Sequence, residues 1–407
     1  VTTVIASDQT AALWAVMAIG TALSIWLEQT YRWAQRLSGP VVALLLAMAL
    51  ANTRLVPAEA PAYDVVGDWL VPLAIPLLLF RANLREIFRS SGSMLLAFHL
   101  AAVGTMMGTA LAVGLLRGMI GETQTAQAAG MMAASYIGGG VNFLAIKASY
   151  DVPVTVANPL IVADNFVMAG VFMILLGLAG SAWMRARYPH PHSQSAGEGD
   201  PGPVEAVGRH GQRTGVALLD VALCLAFAFT VVGLAAALGS WGKTTFGDWA
   251  QRGLGWQMAV TLATNKFVLL TTVTLVLATL LSEPLGRVNG ANELGTYCLS
   301  LFLFTLGLPA DLVGIFGQAP LYFVFCGIIA LTNLGVTLGV GRLLGWNLEE
   351  LLVAVNASLG GAPTAAAMAV SAGWPRLVVP GLLAGIWGYV VGTPVGVVAI
   401  EWLLRRP

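Results

Sequence analysis

The sequence predicts an all-α polytopic membrane protein built as two structurally repeated helix bundles, inverted relative to one another, each with one broken helix. Three observations support this. The chain is 57% hydrophobic and only 10% charged, against about 45–50% and 25% in soluble domains. Its apolar residues fall in blocks of roughly 20, the length a helix needs to cross some 30 Å of hydrocarbon. Two glycine clusters, SYIGGGVN at 135–142 and SLGGAPT at 358–364, interrupt apolar blocks in matching positions of the two halves.

In order, the blocks read as twelve spans at about 11–27, 40–56, 64–80, 93–116, 124–147, 154–182, 216–239, 258–281, 294–309, 320–344, 350–372 and 376–404. No cleavable signal with a basic leader is expected ahead of the first. The stretch 183–215 is rich in Pro, Gly, Ser, His and charge, lacks a helical period, and reads as a hydrophilic linker. It separates a first half, 1–182 with a core segment at about 93–182, from a second, 216–407 with a core segment at about 320–404. His190, His192 and His210 lie in the linker, where two flexible imidazoles leave a metal's coordination incomplete. Cys224, Cys298 and Cys326 sit in apolar blocks without CxxC spacing and read as packing residues.

The halves are alike in sequence. LLLFRANLREIF (77–88) aligns with FTLGLPADLVGIF (304–316) at an offset of 228, pairing Leu84 with Leu312. Further on the offset is 222, pairing Gly138-Gly139 with Gly360-Gly361 and Pro153 with Pro375. Internal duplication with paired helix breaks is a construction of secondary transporters.

Charge bears on topology. With twelve simple crossings the basic loop residues divide ten against nine, which sets no orientation. If one segment near 154–182 does not cross once, the division becomes fourteen to five and the FRANLREIFR loop is cytoplasmic. An odd number of crossings between the breaks is therefore expected. Overall the 20 basic and 20 acidic residues cancel, which gives nucleic acid no footing as a partner.

A glycine break within lipid leaves backbone groups that acyl chains cannot satisfy, so each break must line a cavity or face protein. The half-helix ends then offer carbonyls to cations and N–H groups to anions. Ser135, Tyr136 and Asn142 flank Gly138, Gly139 and Gly140, while Asn356, Ser358 and Thr364 flank Gly360 and Gly361. Their oxygens are hard donors of the kind alkali ions prefer.

Asp164 lies near the middle of the apolar block after the first break. A carboxylate there costs roughly 2.5–3.5 kcal/mol on insertion scales, so its presence points to a cation, a proton or a basic partner. Asn165 adds a neutral oxygen, and Asp164, Asn165 and Asn142 form the expected sodium ligands. Lys266 is read either as snorkelling to the interface or as an ion-pair partner of Asp164. His99 reads as a packing group. The glycine series Gly381, Gly385, Gly388 and Gly392, and the pair Gly104 and Gly108, read as helix-packing faces. No phosphate loop, nucleophile elbow, zinc spacing or triad appears, so neither an enzyme nor a cofactor beyond a coupling ion is expected.

LLLFRANLREIF, ASYIGGGVNFLAIK, VADN and NASLGGAPTAAAMA, in that order, resemble the bacterial and plastid membrane family catalogued as domain of unknown function 819, over nearly the whole chain. More distantly, GGGVNFLAIKASYDVPVTVA and the second-half stretch from GGAPTAAAMA onward are similar to the bile acid:sodium symporters. That resemblance implies a panel domain and a core domain in which two broken helices cross, with Asn142 matching a sodium ligand and Ser358 and Thr364 in the polar part of the second break. Asp164-Asn165 departs from those symporters and is similar to the acidic motif of cation:proton antiporters.

The expected function is sodium- or proton-coupled secondary transport of a small organic anion by alternating access. It would take place in the plasma membrane (the bacterial inner membrane), with the lipid bilayer and a small solute as partners and a homodimer as the assembly that the architecture implies. The alternatives are a monovalent cation:proton antiporter and a non-transporting receptor or scaffold.

Overall fold

The computed structural model describes residues 3–31, 34, 39–53, 55–194, 215–308 and 312–404. In chain order the main helices are α1 (Thr10–Thr30), α2 (Gly39–Asn52), α3 (Pro61–Leu78), α4 (Leu84–Ser90), α5 (Ser93–Ile120), α6 (Glu122–Ser149), α7 (Val154–Gly180) and α8 (Leu218–Phe246). They continue with α9 (Leu254–Thr264), α10 (Lys266–Leu280), α11 (Ala291–Gly307), α12 (Leu312–Leu343), α13 (Leu348–Gly360), α14 (Ala362–Ser371) and α15 (Val378–Leu404). Among the described residues seven helices are long and apolar enough to cross a membrane, and the α9–α10 pair, bent by 61°, makes an eighth candidate. Asn265 makes that bend by capping α10, its side chain accepting from the N–H groups of Phe267 and Val268 at 3.0 and 3.2 Å.

Of the twelve predicted spans, those at 40–56, 64–80, 294–309 and 350–372 fall outside these eight candidates, and two of the twelve, 124–147 and 350–372, do not run on across the bilayer. Along a straight α6, Gly130 and Ile146 would stand roughly 24 Å apart. Yet a methyl group built on Gly396 would meet the Gly130 carbonyl at 2.7 Å and Ile146 Cγ1 at 2.9 Å. Tyr150, just past the end of α6, donates to Glu401 at 2.9 Å, while Gly130 lies against Ile400. The second arm of α6 therefore returns beside the first. The turn is Gly139, at φ 73° and ψ 178°, a region that a residue with a Cβ rarely enters.

The second break repeats this. Val353 Cγ1 and Ala365 Cβ lie 2.6 and 3.6 Å from the Cβ position of Gly381, where a straight helix would part them by roughly 18 Å. Gly361, at φ 83° and ψ −174°, is the turn between α13 and α14. Both glycine-broken blocks are thus helical hairpins that leave on the side they came from. Hydropathy alone cannot separate such a hairpin from a span. The irregular segment sought near 154–182 is instead the continuous α7, and the helices expected to cross at their breaks fold back.

The hairpins come in from opposite sides. Gly104 and Gly108 of α5 approach the α12 backbone so closely that a Cβ would lie 2.9 Å from Asn333 Cα and 2.8 Å from Ile329 Cα. Residue number rises along α5 as it falls along α12, so the two helices are antiparallel. The first hairpin follows α5 and the second follows α12, which puts their bases on opposite faces. The glycine face of α15 then holds both. Gly388 and Gly392 lie against Ile137, Ala134 and Gly138 of the first hairpin, and Gly381 and Gly385 against Val353 and Ala362 of the second. Small residues allow this close approach, which is how helices associate where lipid supplies no hydrophobic drive.

The described start of the linker is tied to the second half: Leu348 N–H donates to the Pro189 carbonyl and the Tyr188 hydroxyl to that of Leu338, both at 2.9 Å. Residues 195–214, with His210, lie outside the described residues.

Candidate ion and solute site at the hairpin tips

The two tips meet at one side chain. A methyl group on Gly139 would lie 3.3 Å from Tyr389 Cε1, and one on Gly361 would lie 3.3 Å from Tyr389 Oη. Tyr389 escaped the sequence reading because its only signal is its place next to Gly388 on the α15 glycine face.

The break in the first hairpin frees the Tyr136 carbonyl from its helical partner. Ser358 Oγ donates to it at 2.6 Å and Thr105 Oγ1 at 3.0 Å. Asn333 Nδ2 donates to Thr105 Oγ1 at 2.8 Å and to the Ala101 carbonyl at 2.9 Å. One buried polar network thus links both hairpins with α5 and α12, satisfying backbone groups that lipid would leave unpaired.

Asp164 faces the first hairpin from α7 and is 7% exposed. Its Oδ2 accepts from Ser135 Oγ at 2.9 Å, while Oδ1 makes no hydrogen bond. The buried Tyr136 side chain stands beside it, next to Cys326. Of the predicted site, then, Ser135, Tyr136 and Asp164 come together. The ion pairs among the described residues are Arg117–Glu122 at 2.8 Å and His192–Glu350 at 3.8 Å, so Asp164 has no basic partner among them. Lys266 is exposed in the first turn of α10, near the Phe267 ring, and does not pair with Asp164. A carboxylate buried without a cation is costly unless it binds a proton or an ion.

The other two expected sodium ligands turn elsewhere. Asn165 is one residue on from Asp164, about 100° around the helix, and its amide donates back to the Ile161 carbonyl at 2.8 Å. Asn142 lies on the returning arm of the hairpin and faces α15. Its Nδ2 donates to the carbonyls of Gly138 at 3.1 Å and Gly388 at 3.3 Å, and its Oδ1 accepts from Thr393 at 2.9 Å. The chain does not gather Asp164, Asn165 and Asn142 around one ion, because the reversal at Gly139 directs Asn142 away from α7.

At the second tip Asn356 Nδ2 donates to the Thr364 carbonyl at 3.2 Å, and Thr364 Oγ1 to that of Gly361 at 3.0 Å. Gly360 faces Asn356 Oδ1 and Met168 Cε, 3.0 and 2.8 Å from its Cβ position. Met168 is one turn past Asp164 on α7, so the second tip borders the same helix. Gly140 has open space around it. His99 is exposed on α5, its Nδ1 on the Leu95 carbonyl at 2.7 Å and its Nε2 accepting from Trp387 Nε1 at 3.1 Å. Among the described residues no three His, Cys, Asp or Glu side chains cluster as a metal site.

The sequence matches the family model described as protein of unknown function DUF819 over residues 15–406. It is also 39% identical over 399 residues, 98% of each chain, to the uncharacterized membrane protein YjcL of Bacillus subtilis (strain 168). With seven candidate spans and these likenesses, the protein is a multi-pass membrane protein, and it belongs to the DUF819 family.

Proposed function

We propose that this protein is a secondary active transporter of the bacterial plasma membrane that moves a small organic anion by alternating access, coupled to sodium or protons at Asp164. The observation that supports it most is the meeting of two hairpin tips, Gly139 and Gly361, on Tyr389, in an arrangement whose first hairpin also holds, through Ser135, the buried Asp164, which has no basic partner among the described residues. The half-helix start at Gly140, with open space around it, brings N–H groups suited to an anion, and the half-helix end before Gly361 brings carbonyl groups suited to a cation.

The halves read as inverted repeats, because α5 and α12, which correspond at the offset of 228, pack antiparallel. The described basic residues favour a cytoplasmic α4. Arg81, Arg85, Arg89, Arg185, Arg187, Arg287, Arg342 and Arg376 share its side, against Arg117, Lys147, Lys243, Arg252 and Lys266 on the other. Cation:proton exchange is the second reading, favoured by Asp164 being a carboxylate where a neutral ligand would suffice for sodium alone.

Proteoliposomes separate the two. A sodium gradient that drives uptake of a radiolabelled organic anion supports symport. Sodium-triggered alkalinisation or acidification of the lumen without an organic solute supports exchange. Either activity is expected to vanish in Asp164→Asn, and coupled flux that survives in that variant removes Asp164 from the mechanism.

A further inference from the structure

The two hairpin tips are matched in backbone and opposed in chemistry. Gly138 and Gly360 correspond at the offset of 222, as do Asn142 and Thr364. Over Gly138 sits the amide nitrogen of Asn142, donating to the carbonyls of Gly138 and Gly388 and pinned from behind by Thr393. The carbonyl end of that half-helix, which carries roughly half a negative charge, thus meets the positive end of a resident amide. Over Gly360 the corresponding atom is Thr364 Oγ1, whose proton goes to the Gly361 carbonyl. Asn356 Oδ1 lies 3.0 Å from the same point, and Asn356 is 0% exposed. That oxygen makes no hydrogen bond.

The end of α13 therefore faces converging oxygens where the first hairpin presents an N–H group. A buried carbonyl left without a donor is costly, and a cation offsets both that cost and the half-helix charge. The donors are neutral and hard, which suits a monovalent ion, whereas calcium or magnesium is held through carboxylates. We propose that the second hairpin tip binds a sodium-sized monovalent cation through Asn356 Oδ1 and Thr364 Oγ1, as a site separate from Asp164. The inference deepens the ion-coupled reading and rests on it for its role in transport, while binding itself is measurable without flux.

The test is sodium titration of the purified full chain in detergent at constant ionic strength with choline, followed by the thermal unfolding midpoint. The wild-type midpoint is expected to rise with sodium, and that of Asp164→Asn to rise as well. In Asn356→Ala the half-saturating concentration is expected to increase about tenfold or more, the loss of one ligand to a charged group. Thr364→Val, nearly isosteric, is expected to move the same way and decides the matter if Asn356→Ala does not fold. The proposal is overturned if the wild type does not respond to sodium, if Asp164→Asn abolishes the response, or if Thr364→Val and a folded Asn356→Ala respond at wild-type concentrations. Failure of the transport reading looks different: sodium binding persists while proteoliposomes show no coupled flux.

Discussion

Ser358 donates its hydroxyl proton to the Tyr136 carbonyl at 2.6 Å, and the two residues stand 222 apart, the offset that pairs the glycine breaks. Thr105 and Asn333, 228 apart, touch in the same network. Both contacts thus join residues spaced at the offsets by which the sequence aligns its two glycine clusters and the segments before them. The contact also joins the hairpins, so their tips are coupled through a hydrogen bond in a low-dielectric interior.

Because Thr105 also serves the Tyr136 carbonyl, Ser358→Ala alone is expected to cost about 1 kcal/mol. Removing both donors leaves the carbonyl orphaned. In a double-mutant cycle with Thr105→Val, measured by thermal or chemical unfolding in detergent, the pair is expected to cost more than the sum of the single changes, with a coupling of about 0.5–3 kcal/mol. Additive losses would mean that the carbonyl finds another donor.

The α15 glycine face gives a sharper contrast. A methyl group on Gly392 would lie 2.8 Å from the Ala134 carbonyl and 3.0 Å from Gly138 Cα, backbone atoms that cannot swing aside. Gly392→Ala is expected to destabilise by about 1–3 kcal/mol. Gly114 on α5 has nothing within contact of its Cβ position, so Gly114→Ala serves as the neutral or stabilising control. Equal unfolding midpoints for the two variants would deny the close packing of α15 on the hairpin.

Much of the site was legible because glycine in an apolar block has few reasons to be there. The breaks fall at Gly139 and Gly361, inside the two clusters and at the aligned offset. Ser135 and Asp164 were legible as polar residues too costly for lipid. What hydropathy could not give was direction: 28 residues of α6 read alike whether they cross or return, since a burial average carries no sign. The partner of Asn142 was hidden too, because it is a backbone carbonyl of α15, 246 residues away. Tyr389 was hidden by its setting in an ordinary-looking apolar helix.

Gly139 and Gly361 need their positive φ. Alanine at either position costs roughly 1–3 kcal/mol, because positive φ with extended ψ is essentially reserved for glycine, and adds a methyl 3.3 Å from the Tyr389 ring or hydroxyl. Gly139→Ala and Gly361→Ala are expected to lower both the unfolding midpoint and any coupled flux. Tyr389→Ala is expected to restore part of that loss by removing the crowding, but not the share owed to φ. Complete restoration would place the whole effect in the contact, and none would place it in the backbone.

The return of each hairpin to its own side is open to direct measurement with single cysteines on a background in which Cys224, Cys298 and Cys326 are replaced. Glu122 and Asp151 bracket the first hairpin, and Trp346 and Gly373 bracket the second. In oriented membranes a thiol reagent that does not permeate is expected to label cysteines at 122 and 151 from one face. Cysteines at 346 and 373 are expected to label from the other, and one at 88 or 92, before α5, with the second pair. The expectation follows from distance alone, because Gly130 and Ile146 cannot both touch Gly396 unless the chain turns back between them. Labelling of 122 and 151 from opposite faces would turn the first hairpin into a span and separate the tips that Tyr389 joins.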